Sequence, residues 1–375
     1  MPPITLNGDT GIQTPMYNGT ITANAVTPSV NMKNRIINGA CVISQRWGTS
    51  AVSDATNTNP YTVDRWSFYG DPASKVTLQQ NQGSVTPPAG FINYMGLTST
   101  SAYSPAAGDA FRFQQAIEGL NIADLAWGTA SAKTVTLSFW VRSSLTGTFG
   151  GALSNDGLNR SYPYSYTISA ANTWEQKSVT IAGDTTGTWL TTNGIGIRVF
   201  FDVGCGTNTK GTAGAWASAF YAGVTGGTNV VATNGATFQF TGVQLEVGST
   251  ATSFDYRPYG TELALCQRYC QVYGGVSGQR FAVGWWFNST NAFAQLYAPV
   301  NFRSPANISI STTTVSNFRI YSGGSSLIPT SITLDIPAEN CITLNIVVAS
   351  GATTGWAAVL LADATSVRLT ISNEL

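Results

Sequence analysis

The 375-residue chain contains no histidine. That absence removes a tier of chemistry: no Ser-His-Asp triad, no Cys-His pair, no zinc site of the usual hydrolytic kind and no imidazole base near neutral pH. Charge is scarce as well. Asp, Glu, Lys and Arg make up 10% of the residues, where about 25% is usual, and 18 basic residues balance 18 acidic ones to a formal charge of zero. No broad positive field gathers phosphate backbones or anionic lipid, so nucleic acid is not an expected partner. No apolar run approaches the roughly 20 residues needed to span a bilayer. The start, MPPITLNGDTGIQTPMYNG, has neither a basic segment nor an apolar run of signal-peptide length. Membrane insertion is not expected, and the chain is expected to be made and folded in a cytosol. The five cysteines, Cys41, Cys205, Cys266, Cys270 and Cys341, are odd in number, and in a reducing compartment they read as small buried hydrophobes. Cys266 and Cys270 stand four apart, but two thiols with no histidine make a poor metal or redox pair.

What the chain does have is glycine, 39 residues of it, a 43% hydrophobic fraction, and Ser, Thr and Asn in most polar positions. Its surface is therefore neutral and hydroxyl-rich, and with little charge to keep copies apart, assembly into an oligomer is expected. Residues 1–33 carry turn signals such as Asn7-Gly8 and Asn18-Gly19 and read as an arm. Over residues 34–260, short alternating runs recur between Gly, Asn, Asp and Pro clusters, from RIINGACVISQRW through KTVTLSFWVRS and AGAWASAFYAG to ATFQFTGVQLEV. They predict an all-β fold, two antiparallel sheets packed as a sandwich or jelly roll. The segment near Ile117 to Leu125 is the only short helix expected there. From Phe238 to Val247 a period of two puts Phe238, Phe240, Gly242, Gln244 and Glu246 on one side of a strand. After Arg257-Pro258, Thr261 is placed to cap a short helix, with Leu263, Cys266, Cys270 and Tyr273 on one stripe. Eight further runs predict a smaller β domain completing residues 261–375, with Ser366 to Ile371 in or beside a sheet.

The order TGVQLEVG, ATSFDYRPYGTEL, LCQRYCQVY resembles a junction found in tail-fibre and minor structural proteins of tailed bacteriophages. Two more segment pairs fit the same resemblance: NRIINGACVISQRWGTS with YTVDRW, and TLSFWVRSS with TWEQKSVTIAGDTTGTW. Three separated matches in order are more specific than one. The resemblance implies a carbohydrate-binding-type jelly roll in the central region, an N-terminal arm that attaches to other virion proteins, and a homotrimer.

One segment invites a wrong reading. RVFFDVGCG, Arg198 to Gly206, resembles the strand and glycine turn with which methyltransferases hold S-adenosylmethionine, but the turn should open a helix and an acid should follow roughly 20 residues on. Here three glycines follow in TNTKGTAGAWASAFYAG, and the next acid after Asp202 is Glu246. Lys210 followed by Gly211 also rules out a phosphate loop. Carboxylates remain: Asp64, Asp71, Asp109, Asp202 and Glu246 are the acids from which a glycosidase would draw a pair about 5 Å or about 6.5–9.5 Å apart. Nothing in the sequence pairs them, and Asp64-Arg65 and Asp255-Arg257 read as ion pairs or caps. No enzyme activity and no cofactor are expected; the resemblance admits a structural calcium ion, though no D-x-D-x-D run marks its ligands.

Ten tryptophans and fifteen tyrosines supply flat rings that stack on the apolar faces of sugars. Trp47, Trp66, Trp140, Trp174 and Trp189 lie inside the motifs above and read as core. Trp285-Trp286-Phe287 differs, because consecutive strand residues point to opposite faces and three bulky rings cannot enter one core. Trp285 and Trp286, with Phe293 and Tyr297 on the next strand of a hairpin, are therefore the predicted ligand or subunit contact. The expectation is a virion protein made in the host bacterial cytoplasm: a tail fibre or fibre-like appendage that binds host surface glycan as receptor. A head fibre or decoration protein, an architectural tail or collar component, and a polysaccharide depolymerase are the alternatives.

Overall fold

The structure, a computed structural model, describes residues 32–54 and 59–375, together with the backbone of two short strands, Leu6–Asn7 and Gly11–Ile12, that pair antiparallel. Apart from those two strands and residues 32 and 33, the attachment arm expected over residues 1–33 lies outside the described residues.

The central region is an all-β jelly-roll sandwich. One six-stranded sheet runs in the order Ser161–Ile168, Gly147–Ser154, Ile195–Asp202, Ala110–Glu118, Trp66–Asp71, Tyr61–Val63; the other runs Glu175–Ile181, Val135–Ser143, Thr237–Val247, Met95–Ser99, Val76–Gln80, Val52–Ser53. Inward residues from both sheets make an aromatic core. Trp66 is fully buried with its ring centroid 4.9 Å from Phe240, and Phe201 stacks 5.1 Å from Phe240. Edge-to-face and offset pairs of this kind add to the burial that holds the two layers together.

Five local expectations are corrected. The alternation from Phe238 breaks at Gly242, where a bulge between Thr241 and Gln244 shifts the register against Val135–Ser143. Phe238 and Phe240 face the core before the bulge, and Val243 and Leu245 face it afterwards, while Gln244 and Glu246 point outward with Gln239 and Thr241. Gly242 has φ +61°, and a Cβ there would stand 2.6 Å from Phe91 Cζ, so glycine is required on both counts. Arg35 to Trp47 forms no strand, because Asn38 and Cys41 adopt φ of +58° and +56°. The Asn38 amide holds that loop by donating to Ile43 O and Asp64 O at 2.8 and 2.9 Å, a local bonding at which asparagine excels. Ala213 to Ala222 is likewise a loop, pinned to the edge strand by a bridge from Ala217 to Ser161 and by the Gly214 amide donating to Pro163 O at 3.0 Å, and Gly223 pairs only with Lys210 in a two-residue ladder. The helix spans Tyr259–Gln267 with Pro258 at its N-cap, so Thr261 caps nothing. Cys270 and Tyr273 leave the helical stripe for the strand Cys270–Gly274, drawn there by pairing with Arg368–Ser372. The short helix expected near Ile117 to Leu125 is instead the end of the strand Ala110–Glu118 followed by two 3-10 turns, Gly119–Asn121 and Ala123–Leu125.

Beyond the helix, a three-stranded sheet (Cys270–Gly274, Arg368–Ser372, Ser309–Thr312) packs against a seven-stranded one. The latter runs Ser325–Leu327, Phe318–Ser322, Ala357–Ala362, Arg280–Trp286, Asn291–Tyr297, Cys341–Val348, Pro329–Ile336. Trp286, Phe302, Phe318, Leu344, Leu360 and Ile371 fill this second core.

Residues 34–375 form one compact unit, yet the two apolar cores are separate; a polar seam joins them. Arg65, 2% exposed, pairs with Glu374 and lies 3.5 Å over the Tyr269 ring. Glu374 also accepts from Arg46 at 3.0 Å. Arg268 grips Glu118 with two bonds of 2.9 and 2.7 Å, and the Tyr269 hydroxyl donates to the same carboxylate at 2.7 Å. Arg303 donates to the backbone oxygens of Asn193, Asn373 and Glu374. Burial pushes the Glu118 carboxyl up, but its bonds from Arg268 and Tyr269 more than reverse this and leave it below the usual glutamate value. Burial pushes Asp64, behind Arg46, up to about 6.

Three outcomes follow. Glu374→Ala strands the buried Arg65 and is expected to cost about 3–5 kcal/mol in denaturant unfolding; a loss below about 1 kcal/mol contradicts the seam. Gly242→Ala is expected to cost about 1–3 kcal/mol by the same assay, since the left-handed backbone and Phe91 both oppose a Cβ. A carboxyl lowered in the folded state contributes stability that is present above its unfolded pKa of about 4.3 and is lost as pH falls through the folded value. Thermal melts of Glu118→Gln should therefore lose less stability than the parent between about pH 5 and about pH 3, and parallel losses would refute it. Asp64 has the opposite sign, its contribution being lost as pH rises from its unfolded value through about 6.

Candidate functional site

The sandwich closes most of both its outer faces with its own loops. Residues 203–236 cover the sheet that contains Ala110–Glu118, where Phe200, Ala152, Cys205 and Ala222 form a small buried cluster. The approach is close enough that a Cβ on Gly150 would stand 2.0 Å from Val224. On the other sheet, the outward side chains of the central strand are consumed internally. Gln239 accepts from Arg142 at 2.9 Å and donates to Gln82 at 2.8 Å, Thr241 donates to Asn93 O at 2.7 Å, and Glu246 accepts from Thr252 at 2.8 and 2.6 Å.

The seven-stranded sheet is different: one face builds the second core and the other is open. The strands Arg280–Trp286, Asn291–Tyr297 and Cys341–Val348 alternate strictly near their centres, so the register sets who stands beside whom. One row across the open face reads Ala357, Trp285, Phe293, Asn345, Thr333, and the next reads Tyr321, Val359, Val283, Gln295, Thr343. Trp285 is 47% exposed and Tyr297 is 66% exposed. Phe293 stands between Trp285 and Phe287, with ring centroids at 6.4 and 5.6 Å. Among these rings lie amides: Tyr297 donates to Gln295 at 3.2 Å and Asn291 donates to Asn345 at 3.4 Å. From Phe281 to Trp286, Asn291 to Tyr297 and Cys341 to Val348 there is no charged residue.

The four residues singled out from the sequence thus separate. Trp285, Phe293 and Tyr297 share the open face, whereas Trp286 is fully buried in the second core with no exposed surface, the parity of a strand forbidding it from joining its neighbour. Gln295 and Asn345 were missed, although the alternation of NAFAQLY and CITLNIVV puts them in phase with Phe293. Of the tryptophans expected in the core, Trp66 and Trp189 are buried, Trp140 and Trp174 are half-buried, and Trp47 is 46% exposed on the turn that ends at Gly48.

The carboxylates are occupied individually. Asp64 accepts from the backbone and side chain of Gln45, Asp109 from Tyr103 and Ala106, and Asp202 from the amides of Gly204 and Cys205 with Lys210 at 3.5 Å. The glycine turn after Asp202 therefore folds back on the acid itself. Burial raises the carboxyl of Asp202. Asp71 ends its strand on the surface, at the cis peptide to Pro72. All five cysteines are free thiols, and burial holds those of Cys266 and Cys270 well above the usual range, which leaves them protonated and inert. Among the described residues, no group of three or more His, Cys, Asp or Glu side chains converges to hold a metal ion.

No protein-family model and no curated protein matches the chain. Among solved structures it is similar to the enzymatically active domain of tailspike protein 4 from bacteriophage CBA120. That match has 14% identity and a TM-score of 0.31, covering 57% of this chain and 21% of that one. It is also similar to a family 11 carbohydrate-binding module from Clostridium thermocellum in complex with a mixed-linked tetrasaccharide, at 16% identity and TM-score 0.27, covering 54% and 100%. A third is the N-terminal cellulose-binding domain of a Cellulomonas fimi β-1,4-glucanase, at 13% identity and TM-score 0.23, covering 50% and 90%.

Proposed function

We propose that the chain is a non-enzymatic structural protein of a tailed-phage particle, a tail fibre or fibre-like appendage, that holds host-surface glycan on the open face of its seven-stranded sheet. The virion part is supported by the three ordered sequence motifs described above. The glycan part is carried by one observation: the face presents Trp285, Phe293 and Tyr297 beside Gln295 and Asn345, with no charged residue from Phe281 to Trp286, Asn291 to Tyr297 or Cys341 to Val348. Aromatic rings cover the apolar faces of pyranose rings, and neutral amides satisfy hydroxyls without the desolvation cost of an ion. A rigid sheet preorganises these groups, so little side-chain entropy is lost on binding.

A second reading has its own support. Val283 at 56% and Ile336 at 61% exposure enlarge the apolar part of the face, and patches of this kind also pack subunits together, here as a homotrimer.

The test is a glycan array with the full chain, its Trp285→Ala and its Phe293→Ala variants, alongside light scattering. Glycan capture that falls at least about tenfold in both variants, a loss of about 1.4 kcal/mol, with unchanged melting temperature, is expected. A parent trimer that dissociates on Trp285→Ala would instead establish the subunit reading. As an internal contrast, Trp286→Ala is expected to destabilise the fold by about 3–5 kcal/mol, because that ring is packed inside.

A further inference from the structure

A groove of about 810 Å³ runs between the sandwich and the three-stranded sheet, a size typical of small-ligand sites. One wall comes from the sandwich. There the Ser44-to-Gly48 turn presents Trp47, 46% exposed, and Arg46 lies with its guanidinium carbon 4.9 Å over the Tyr61 ring. The opposite wall is the outward side of the strands Arg368–Ser372 and Ser309–Thr312. Leu369 and Ile371 point inward to the second core, so Arg368, Thr370 and Ser372 must point outward, and Ser311 pairs across from Thr370. Among the described residues, the hydroxyls of Ser311 and Thr370 have no hydrogen-bond partner.

The charge of the groove is lopsided. Two arginines line it and no acidic residue does. Arg46 is already balanced by Glu374 and Asp64 at 3.0 and 3.9 Å. Arg368 is not: its guanidinium donates to the carbonyls of Thr365 and Val367, and among the described residues no carboxylate pairs with it. A half-buried cation supplied only with carbonyls retains a positive potential in a low-dielectric cleft and favours an anionic group there. An exposed indole and unbonded hydroxyls favour a ligand with a ring face and hydroxyls of its own.

We infer that this groove is a second glycan site, selective for an acidic saccharide, with the sugar ring on Trp47, its hydroxyls on Ser311 and Thr370, and its carboxylate on Arg368. It is built from different residues than the open sheet face, so the two sites fail independently.

Isothermal titration of the full chain with trigalacturonate, a hyaluronan tetrasaccharide, sialyllactose and neutral galactotriose tests this, using the parent and its Trp47→Ala, Arg368→Gln and Trp285→Ala variants. At least one acidic sugar is expected to bind the parent and Trp285→Ala equally. Its affinity should fall at least tenfold in Arg368→Gln and Trp47→Ala, and fall again with added salt, while Arg368→Gln leaves galactotriose unaffected. Failure of all three acidic sugars overturns the inference, as does equal binding to Arg368→Gln. Loss of acidic-sugar binding in Trp285→Ala alone also overturns it, while leaving the sheet-face reading intact. Tighter binding of a dinucleotide than of any sugar would reassign the groove.

Discussion

Arg65 is a buried guanidinium that the sandwich cannot neutralise from its own residues, and the placement of everything after the helix answers that need. Inside the sandwich it donates only to the carbonyl of Ala116, and the carboxylate and ring that offset its charge, Glu374 and Tyr269, both come from beyond residue 260. Glu118 repeats the arrangement with the sign reversed, a sandwich carboxylate gripped by Arg268 and Tyr269. Ions removed from water cost several kcal/mol each unless paired, so neither side tolerates separation. An apolar seam would allow sliding; reciprocal ion pairs with directional hydrogen bonds specify one register.

That register decides which surfaces remain for partners. The strand Arg368–Ser372 is held beside Arg46 and Trp47, and a groove results where two otherwise unrelated walls face each other. The sandwich has meanwhile turned its central outward side chains to its own loops, through Phe200 and Ala222 on one side and Gln239 and Thr241 on the other. The seven-stranded sheet has a core on one face only, and its other face carries Trp285, Phe293 and Tyr297 into solvent. In a chain with so few charges, the surfaces left open are made mainly of rings, amides and hydroxyls.

Strands are legible in the sequence wherever alternation is uninterrupted, as in CITLNIVV and NAFAQLY, and the same rule shows that Trp285 and Trp286 cannot share a face. Legibility fails where a single residue redirects the chain. Gly242 inverts the parity of its strand through a bulge that period-two counting cannot register. Asn38 converts an apparent strand, RIINGACVISQRW, into a loop by bonding locally to Ile43 and Asp64. Cys270 belongs to a helix by spacing and to a sheet by its partner 102 positions away, Ser372, a contact no local pattern carries. The groove was illegible for the same reason: Trp47 and Thr370 meet only because the seam brings distant segments together. Trp286 was half legible, since parity shows that it and Trp285 part company but not which one goes inside.

The central claim is that the polar seam fuses two apolar cores into one cooperative body. Differential scanning calorimetry of the full chain near neutral pH tests it most directly. A single transition, with a calorimetric enthalpy matching its van't Hoff value, is the predicted result. Two resolved transitions in the unaltered chain, one for each core, would contradict the account.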